Sequence, residues 1–166
     1  MSTKGGSKQV LTLALVSEPE RVLLAMKKRG FGEGRYNGFG GKLNAGETIE
    51  QAAAREMEEE GSIRPRSLTK VGVLEFNFAT IALELEVHIF KVIGYEGVIA
   101  ETEEMCPQWF LWDEVPYDQM WPDDRFWVPL FRAGSLFRGR FLFDAPASKE
   151  HEATILKHSI TTVEAL

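Results

Sequence analysis

Three glutamates, Glu56, Glu59 and Glu60, stand at positions i, i+3 and i+4 of one segment and are the residues best placed to do chemistry. The segment, residues 48–60, is rich in strong helix formers and predicts a helix. Residues three and four apart lie on neighbouring turns of a helix face, so these negative charges repel one another. They also lie near the C-terminal end of the helix, where its dipole disfavours negative charge. A counter-charge is therefore expected beside them.

The predicted helix has two distinct faces at about 100° per residue. The three glutamates share their sector with apolar residues: Ile49, Ala52, Ala53 and Met57. A second polar set points the opposite way: Glu50, Gln51 and Glu58. The helix thus has an ordinary solvated face, which disfavours the alternative of a merely exposed charge run. Arg55 can offset part of the charge, and oxygen-only ligands favour a hard cation, Mg²⁺ or Mn²⁺.

A glycine-rich stretch precedes this helix. Residues 29–42 contain six glycines, which predict a loop rather than a regular element. Gly38, Gly40 and Gly41 would let backbone groups approach a ligand closely. The stretch does not match the P-loop pattern. Flexibility alone would account for the glycines but not for the carboxylate helix that follows, so a loop that approaches a ligand is favoured.

The remaining pattern predicts strands mixed with a second helix. Apolar alternation and apolar runs predict seven strands: residues 10–16, 21–26, 68–78, 83–89, 108–112, 136–143 and 154–163. Pro122 opens a second helix over residues 122–133. This mixture predicts a sheet covered by helices. No repeat or linker divides the chain, so we expect one domain over residues 1–166, with residues 1–8 disordered.

Composition limits the possible partners. Nineteen Lys and Arg against 25 Asp and Glu give a net charge of −6, which argues against nucleic acid polymers and anionic membranes. The single cysteine, Cys106, excludes an internal disulfide, and three scattered histidines suggest no zinc cluster. No apolar run approaches the length of a membrane span. We expect a cytoplasmic monomer, with a mitochondrial or nuclear location left open.

A longer pattern connects the glycines to the helix. Gly41, Glu47 and the run Arg55-Glu56-Met57-Glu58-Glu59-Glu60 resemble the signature of the Nudix hydrolases, which cleave nucleoside diphosphates linked to another group. The next residues are Gly61-Ser62-Ile63, whereas the family pattern places glycine second. That glycine normally ends the helix with a positive φ, and a shift of the cap by one residue would let Gly61 serve instead.

The resemblance covers nearly the whole chain and is closer to one Nudix subfamily, the oxidised purine nucleoside triphosphatases related to animal MutT homologues. The matching segments are residues 21–24, 26–32, 37–42, 87–88 and 120–124. The fold that it implies is an α/β/α sandwich with a mixed β-sheet between helices. The expected function is removal of 8-oxo-dGTP and 2-hydroxy-dATP from the DNA precursor pool, giving a nucleoside monophosphate and pyrophosphate.

The resemblance also assigns roles. The implied metal ligands, for Mg²⁺ or alternatively Mn²⁺, are the carbonyl of Gly40 and the carboxylates of Glu56, Glu59, Glu60 and Glu104. Glu56, Glu59 and Glu60 form the implied catalytic centre, with Glu59 or Glu60 as the general base. The implied substrate-binding residues are Thr12, Lys27, Phe31, Asn37, Phe39, Gly40, Gly41, Lys42, Phe76, Phe78, Leu85, Trp121, Pro122, Asp123, Asp124 and Trp127.

Asp123 and Asp124 have two interpretations. Adjacent carboxylates in a desolvated pocket do not both ionise easily, so one would donate a hydrogen bond to a purine and the other accept one. They are also suited to capping the second helix. Two rival functions stay open: another Nudix activity, on undamaged nucleotides, ADP-ribose or capped RNA, and a non-catalytic nucleotide-binding module.

Overall fold

The computed structural model describes residues 6–166, in which nine strands form one sheet and two α-helices pack on it. The strands are β1 (Ser7–Ser17), β2 (Arg21–Lys27), β3 (Tyr36–Asn37), β4 (Phe39–Lys42), β5 (Ile63–Phe78), β6 (Leu83–Gly97), β7 (Met105–Leu111), β8 (Leu136–Phe143) and β9 (Ile155–Val163). The helices are α1 (Ile49–Gly61) and α2 (Asp124–Arg132). Within these residues, neither helix is long and apolar enough to cross a membrane.

The sheet is mixed and is covered on both faces. Its main strand order is β3-β2-β1-β6-β5-β8-β9, with β4 paired to β1 and β7 paired to β2. The β1–β6 and β5–β8 pairs are parallel, and the other pairs are antiparallel. Met57 of α1 belongs to one buried apolar cluster, and Trp127 and Phe131 of α2 belong to another. The predicted mixed sheet between helices is confirmed.

The glycine-rich stretch is more regular than its composition predicts. Residues 36–37 and 39–42 form β3 and β4, so the prediction of a continuous loop over residues 29–42 is wrong there. A Cβ on Gly40 would overlap the carbonyl oxygen of Thr12 on β1. A Cβ on Gly41 would lie 2.7 Å from Oε1 of Glu56. These two glycines serve close packing of β4 against β1 and α1.

The start of the chain is also more ordered than expected. Ser7 and Lys8 were predicted to be disordered, but they begin β1, because the Ser7 N–H donates to the carbonyl of Ala82 at 3.0 Å and Lys8 pairs with Glu86 at 2.7 Å. The rest of the predicted disorder, residues 1–5, lies outside the described residues.

The N-terminal end of α1 is defined by a capping box. Thr48 accepts a hydrogen bond from the Gln51 N–H at 3.1 Å, and the Gln51 side chain accepts one from the Thr48 N–H at 2.9 Å. The two bonds satisfy backbone donors that would otherwise lack partners at the start of the helix. The helix therefore begins in the register that brings Glu56 and Glu60 to the sheet.

The C-terminal end of α1 departs from the expected cap shift. Gly61 stays helical, and a Cβ there would lie 2.8 Å from the ring of Phe39. Ser62 instead takes the left-handed conformation, with φ 62° and ψ 24°. The expected shift of the cap to Gly61 is therefore wrong: Gly61 allows close packing, while Ser62 carries the backbone strain.

Replacing Ser62 with glycine should stabilise the protein, because glycine adopts positive φ without the steric cost of a Cβ. We expect Ser62→Gly to raise the free energy of unfolding by about 1 kcal/mol in urea denaturation. Ser62→Ala keeps the Cβ and should bring no such gain. Equal stabilisation by both variants would show that the left-handed backbone is not the cause.

Candidate active site

Glu60 is the most buried of the three carboxylates Glu56, Glu59 and Glu60 of α1. Its side chain is 4% exposed, and its Oε1 accepts a hydrogen bond from the Gly40 N–H at 2.8 Å. Its Oε2 lies 3.5 Å from Nζ of Lys27. Burial raises the pKa of Glu60 to about 7 and the charge of Glu56 adds to this, while the Gly40 N–H and Lys27 lower it. Burial thus favours the protonated form of Glu60, and a positive charge placed beside it would favour the carboxylate.

Arg55 is the counter-charge expected beside the glutamates. Its Nη1 lies 2.9 Å from Oε1 of Glu56 and 3.1 Å from Oε2 of Glu59. Its Nε donates to Glu47 at 2.7 Å. Burial raises the pKa of Glu56, and Arg55 opposes that effect. The Glu59 side chain is 58% exposed, so it lies at the rim of the cluster rather than inside it.

Glu104 joins the same cluster from the connection before β7. Its Oε2 lies 3.6 Å from Nζ of Lys27, which also approaches Glu60. Its Oε1 accepts from Arg29 Nε at 2.8 Å and Nη2 at 2.6 Å. The hydrogen bonds from Arg29 lower the pKa of Glu104. The fold thus brings Glu104 beside α1, as the family resemblance implied.

The donor set fits a hard divalent cation. Among residues 6–166, no three His, Cys, Asp or Glu side chains are arranged as a metal site. The carboxylates are instead bridged by Lys27, Arg29 and Arg55. All of these acidic donors are oxygen atoms, which is the ligand chemistry of Mg²⁺ and Mn²⁺.

A cavity of about 510 Å³ begins beside Glu60 and extends between the sheet and α2. It gathers most of the predicted site: Thr12, Lys27, Phe31, Asn37, Gly40, Gly41, Lys42, Glu60, Phe76, Phe78, Leu85, Trp121, Asp123, Asp124 and Trp127. The predicted ligands Glu56, Glu59 and Glu104 are outside this lining and belong to the adjacent carboxylate cluster. One continuous site therefore joins an acidic end to an aromatic end.

Two predicted substrate-binding residues lie elsewhere. The Phe39 side chain is fully buried in the apolar cluster under α1, against Gly61. Successive residues of an extended chain face opposite sides of the sheet. Gly38 and Gly40, the neighbours of Phe39, line the cavity, so the Phe39 side chain faces away from it. Pro122 lines a separate surface groove. The prediction that these two side chains form the substrate pocket is wrong.

Many residues that line the cavity are not among those predicted from the sequence. The additional lining residues are Gln9, Leu11, Leu13, Gly32, Leu74, Leu83, Val87, Ile89, Met105 and Phe143, whereas Gly38, which also lines the cavity, was expected to approach a ligand. Strand alternation was an available signal, because every second residue of a strand lies on the same face. Since Leu85 had been identified, the same rule points to Leu83, Val87 and Ile89.

Asp123 and Asp124 form a buried acid pair. They are 3% and 2% exposed, and the Trp127 Nε1–H donates to Asp123 at 2.8 Å and to Asp124 at 3.1 Å. Among the described residues, Oδ2 of Asp124 has no hydrogen-bond partner. Burial raises the pKa of Asp123 to about 6, and burial with the charge of Asp123 raises the pKa of Asp124 well above its ordinary value. The pair is thus suited to hold a proton.

The capping interpretation of this pair is not supported. Asp123 occupies the N-cap position of α2 but makes no side-chain capping hydrogen bond. Its carboxylate is instead engaged by Trp127. The aspartates therefore serve the cavity rather than the helix end.

Aromatic rings form the wall near the acid pair. The Phe31 and Trp121 rings are 5.2 Å apart at an interplanar angle of 34°. Trp121 also meets the edge of Phe143 at 5.9 Å. Phe76 stacks against both Phe141 and Phe143, with centroid distances of 5.7 and 5.8 Å. Such a wall offers a flat heterocycle extensive apolar contact and stacking.

Several known proteins are similar to this chain in sequence and in fold. The NUDIX domain model matches residues 8–131. An oxidized purine nucleoside triphosphate hydrolase of Danio rerio is 48% identical over 95% of this chain and 97% of its own, and one of Mus musculus is 46% identical over 94% and 96%. A MutT protein structure from Bacillus halodurans has a TM-score of 0.78 at 26% identity, covering 92% of this chain and 97% of its own. This chain belongs to the Nudix family.

Proposed function

We propose that this protein hydrolyses oxidised purine nucleoside triphosphates, such as 8-oxo-dGTP and 2-hydroxy-dATP, to a nucleoside monophosphate and pyrophosphate. The observation that carries this proposal is the single cavity that connects the buried aspartate pair to the carboxylate cluster. The names of the two vertebrate relatives support it. Such an activity removes damaged precursors before a polymerase incorporates them.

The acidic end is suited to the triphosphate. The proposed metal ligands are the Gly40 carbonyl and the carboxylates of Glu56, Glu59, Glu60 and Glu104. A bound Mg²⁺ or Mn²⁺ would neutralise phosphate charge and make a bound water more acidic. Lys27 lines the cavity within 3.5 Å of Glu60 and would contact a phosphate oxygen.

The positions of Glu59 and Glu60 support one of the two candidates for the general base. Glu60 lines the cavity and its side chain is 4% exposed. Glu59 is 58% exposed and is held by Arg55 at the rim. A general base must lie within hydrogen-bond reach of the proton that it accepts. We therefore assign proton removal from the attacking water to Glu60.

The other end is suited to the purine. The neutral carboxyl of Asp124 can donate a hydrogen bond, and the carboxylate of Asp123 can accept one. The partnerless Oδ2 of Asp124 would gain a partner from the base, which removes the cost of leaving a buried polar atom unsatisfied. Exchange of the proton within the pair would fit purine edges with different donor and acceptor patterns. Stacking on Trp121 and a hydrogen bond from Asn37 would complete the contacts.

The substrate assignment is tested by pyrophosphate release with Mg²⁺ present, comparing 8-oxo-dGTP, 2-hydroxy-dATP, dGTP and ADP-ribose. We expect kcat/KM for an oxidised purine to be well above that for dGTP. Cleavage of only ADP-ribose or undamaged nucleotides would support another Nudix activity and overturn the base assignment. Binding of oxidised nucleotides without hydrolysis would support the non-catalytic module.

Removing the charge of Glu60 should abolish most turnover. We expect Glu60→Gln to lower kcat by about 100-fold or more, because the amide neither accepts the proton nor carries the charge needed by a cation. Glu58→Gln is the matched control, since Glu58 lies on the exposed face of α1 and pairs with Arg64 at 3.0 Å. Its kcat should stay within about twofold of the unmodified protein. Similar losses in both variants would contradict the assignment.

The proton held by Asp123 and Asp124 should also make the stability of the protein depend on pH. A carboxyl whose pKa is raised by folding stabilises the protein below its unfolded pKa, and this contribution is lost as the pH rises through the folded pKa. Both aspartates have raised pKa values. The melting temperature of the unmodified protein should therefore fall relative to that of the Asp124→Asn variant as the pH rises from about 4 through about 6. Thermal melts across this range measure the difference.

The control for this experiment is Asp118→Asn, because the Asp118 side chain is 99% exposed. Its melting curve should run parallel to that of the unmodified protein across the same pH range. A difference between Asp124→Asn and the unmodified protein that stays constant with pH would show that folding does not shift the titration of the pair.

A further inference from the structure

Phe31 has an unusual position for a large aromatic residue. Its side chain is 55% exposed, yet it lines the cavity and contacts the Trp121 ring. It lies in the connection between β2 and β3, residues 28–35. Because little of its surface is buried, local packing alone fixes its position weakly. The conformation of the connection therefore sets one edge of the base site.

The connection is rich in glycine and is closed at its ends by backbone hydrogen bonds, from the Gly34 N–H to the Lys27 carbonyl at 2.9 Å and from the Lys27 N–H to the Arg35 carbonyl at 3.0 Å. Gly30, Gly32 and Gly34 have φ values of 79°, 86° and 83°, which the glycines adopt without a steric cost. Its internal backbone bonds include Glu33 N–H to the Gly30 carbonyl at 3.1 Å and Arg35 N–H to the Gly32 carbonyl at 3.2 Å. The glycines on either side of Phe31 have no side chains that could pack against its ring, so contacts from other parts of the fold add to what holds Phe31 in place.

Arg35 supplies such an anchor on the side of the base site. Its guanidinium donates to the carbonyl of Ser148 at 3.0 Å and to the carbonyl of His151 at 3.3 Å. The accepting turn is itself held, because the Ser148 N–H donates to the His151 carbonyl at 2.9 Å. Ala147 and Ala153 on either side of it are 4% and 5% exposed and belong to the apolar cluster of α2. Arg35 thus ties a glycine-rich connection to a fixed part of the fold.

The opposite side of the connection is anchored in the carboxylate cluster. Lys28 pairs with Glu101 at 2.8 Å, and Arg29 binds Glu104. Phe31 lies between these two sets of contacts. Loss of the Arg35 contacts would therefore release Phe31 while leaving the arrangement of the carboxylates in place. Loss of the Arg35 contacts should therefore weaken binding of the base and leave the rate of the hydrolytic step unchanged.

We propose that Arg35 is a positioning residue for the nucleobase, acting through the carbonyls of Ser148 and His151 to hold Phe31 against Trp121. The segment between β8 and β9, residues 144–154, is then a structural part of the base site. The inference rests on the proposed function for the identity of the ligand, and on the hydrogen bonds of Arg35 for the anchor.

The experiment is a double-mutant cycle with Phe31, measured with 8-oxo-dGTP and Mg²⁺. Arg35→Ala should raise KM about tenfold with kcat within about twofold, because the interactions lost contribute equally to ground-state and transition-state binding. In the Phe31→Ala background the same substitution should have no further effect on KM. Arg35→Lys, which can still reach one carbonyl, should give an intermediate KM.

Arg125→Ala is the matched control, since Arg125 lines the same surface groove as Arg35 and contacts only the exposed Asp118, at 3.4 Å, among the ion pairs of residues 6–166. Its KM should be unchanged. Hydrogen–deuterium exchange without nucleotide should show faster exchange of residues 28–35 in Arg35→Ala than in the unmodified protein. This second measurement reports the anchor independently of any substrate.

The outcomes separate the two proposals. If the unmodified protein does not hydrolyse 8-oxo-dGTP, the proposed function fails, and the nucleobase role of Arg35 fails with it. If it does hydrolyse 8-oxo-dGTP, an unchanged KM in Arg35→Ala overturns the positioning role alone. An equal KM increase with and without Phe31 would show that Arg35 does not act through that ring, and unchanged exchange of residues 28–35 would show that it is not an anchor.

Discussion

The organisation of this protein depends on mutual repulsion between carboxylates that the fold holds close together. Glu56, Glu59 and Glu60 project from the last turns of α1, and Glu104 approaches them from a distant connection. Arg55, Lys27 and Arg29 offset this repulsion from three different elements of the chain. The positions of β2, β4 and α1 relative to one another are therefore linked to the charge balance of the site.

The repulsion between neighbouring carboxylates is offset in different ways at the two ends of the cavity. At the α1 end, the acidic groups are balanced by cationic side chains, and their oxygen atoms are of the ligand type that a divalent cation prefers. At the α2 end, the Trp127 N–H is neutral, so burial favours proton uptake by Asp123 and Asp124. A ligand that is strongly anionic at one end and a neutral heterocycle at the other matches this division.

The sequence alone predicted the features that follow from local periodicity. Helical spacing identified Glu56, Glu59 and Glu60, because residues three and four apart necessarily share a face. Glu104 became a candidate only through the family resemblance, since its proximity to Glu60 is created by pairing between β2 and β7. Strand β4 was missed because the contacts that require its glycines come from β1 and α1. The anchor formed by Arg35 joins residues 113 positions apart, and no local pattern indicates it.

The parallel pairing of β5 with β8 has a consequence for the order in which the site can form during synthesis. Every residue of the carboxylate cluster precedes position 105, whereas the aromatic wall includes Phe143 of β8. Parallel strands need a long crossover, and here it contains α2 with the aspartate pair. A ribosome-bound chain that has exposed its first 104 residues thus has every carboxylate of the cluster but neither the aspartate pair nor Phe143. The end of the cavity that contains the aspartate pair is therefore completed after the carboxylate cluster in the growing polypeptide.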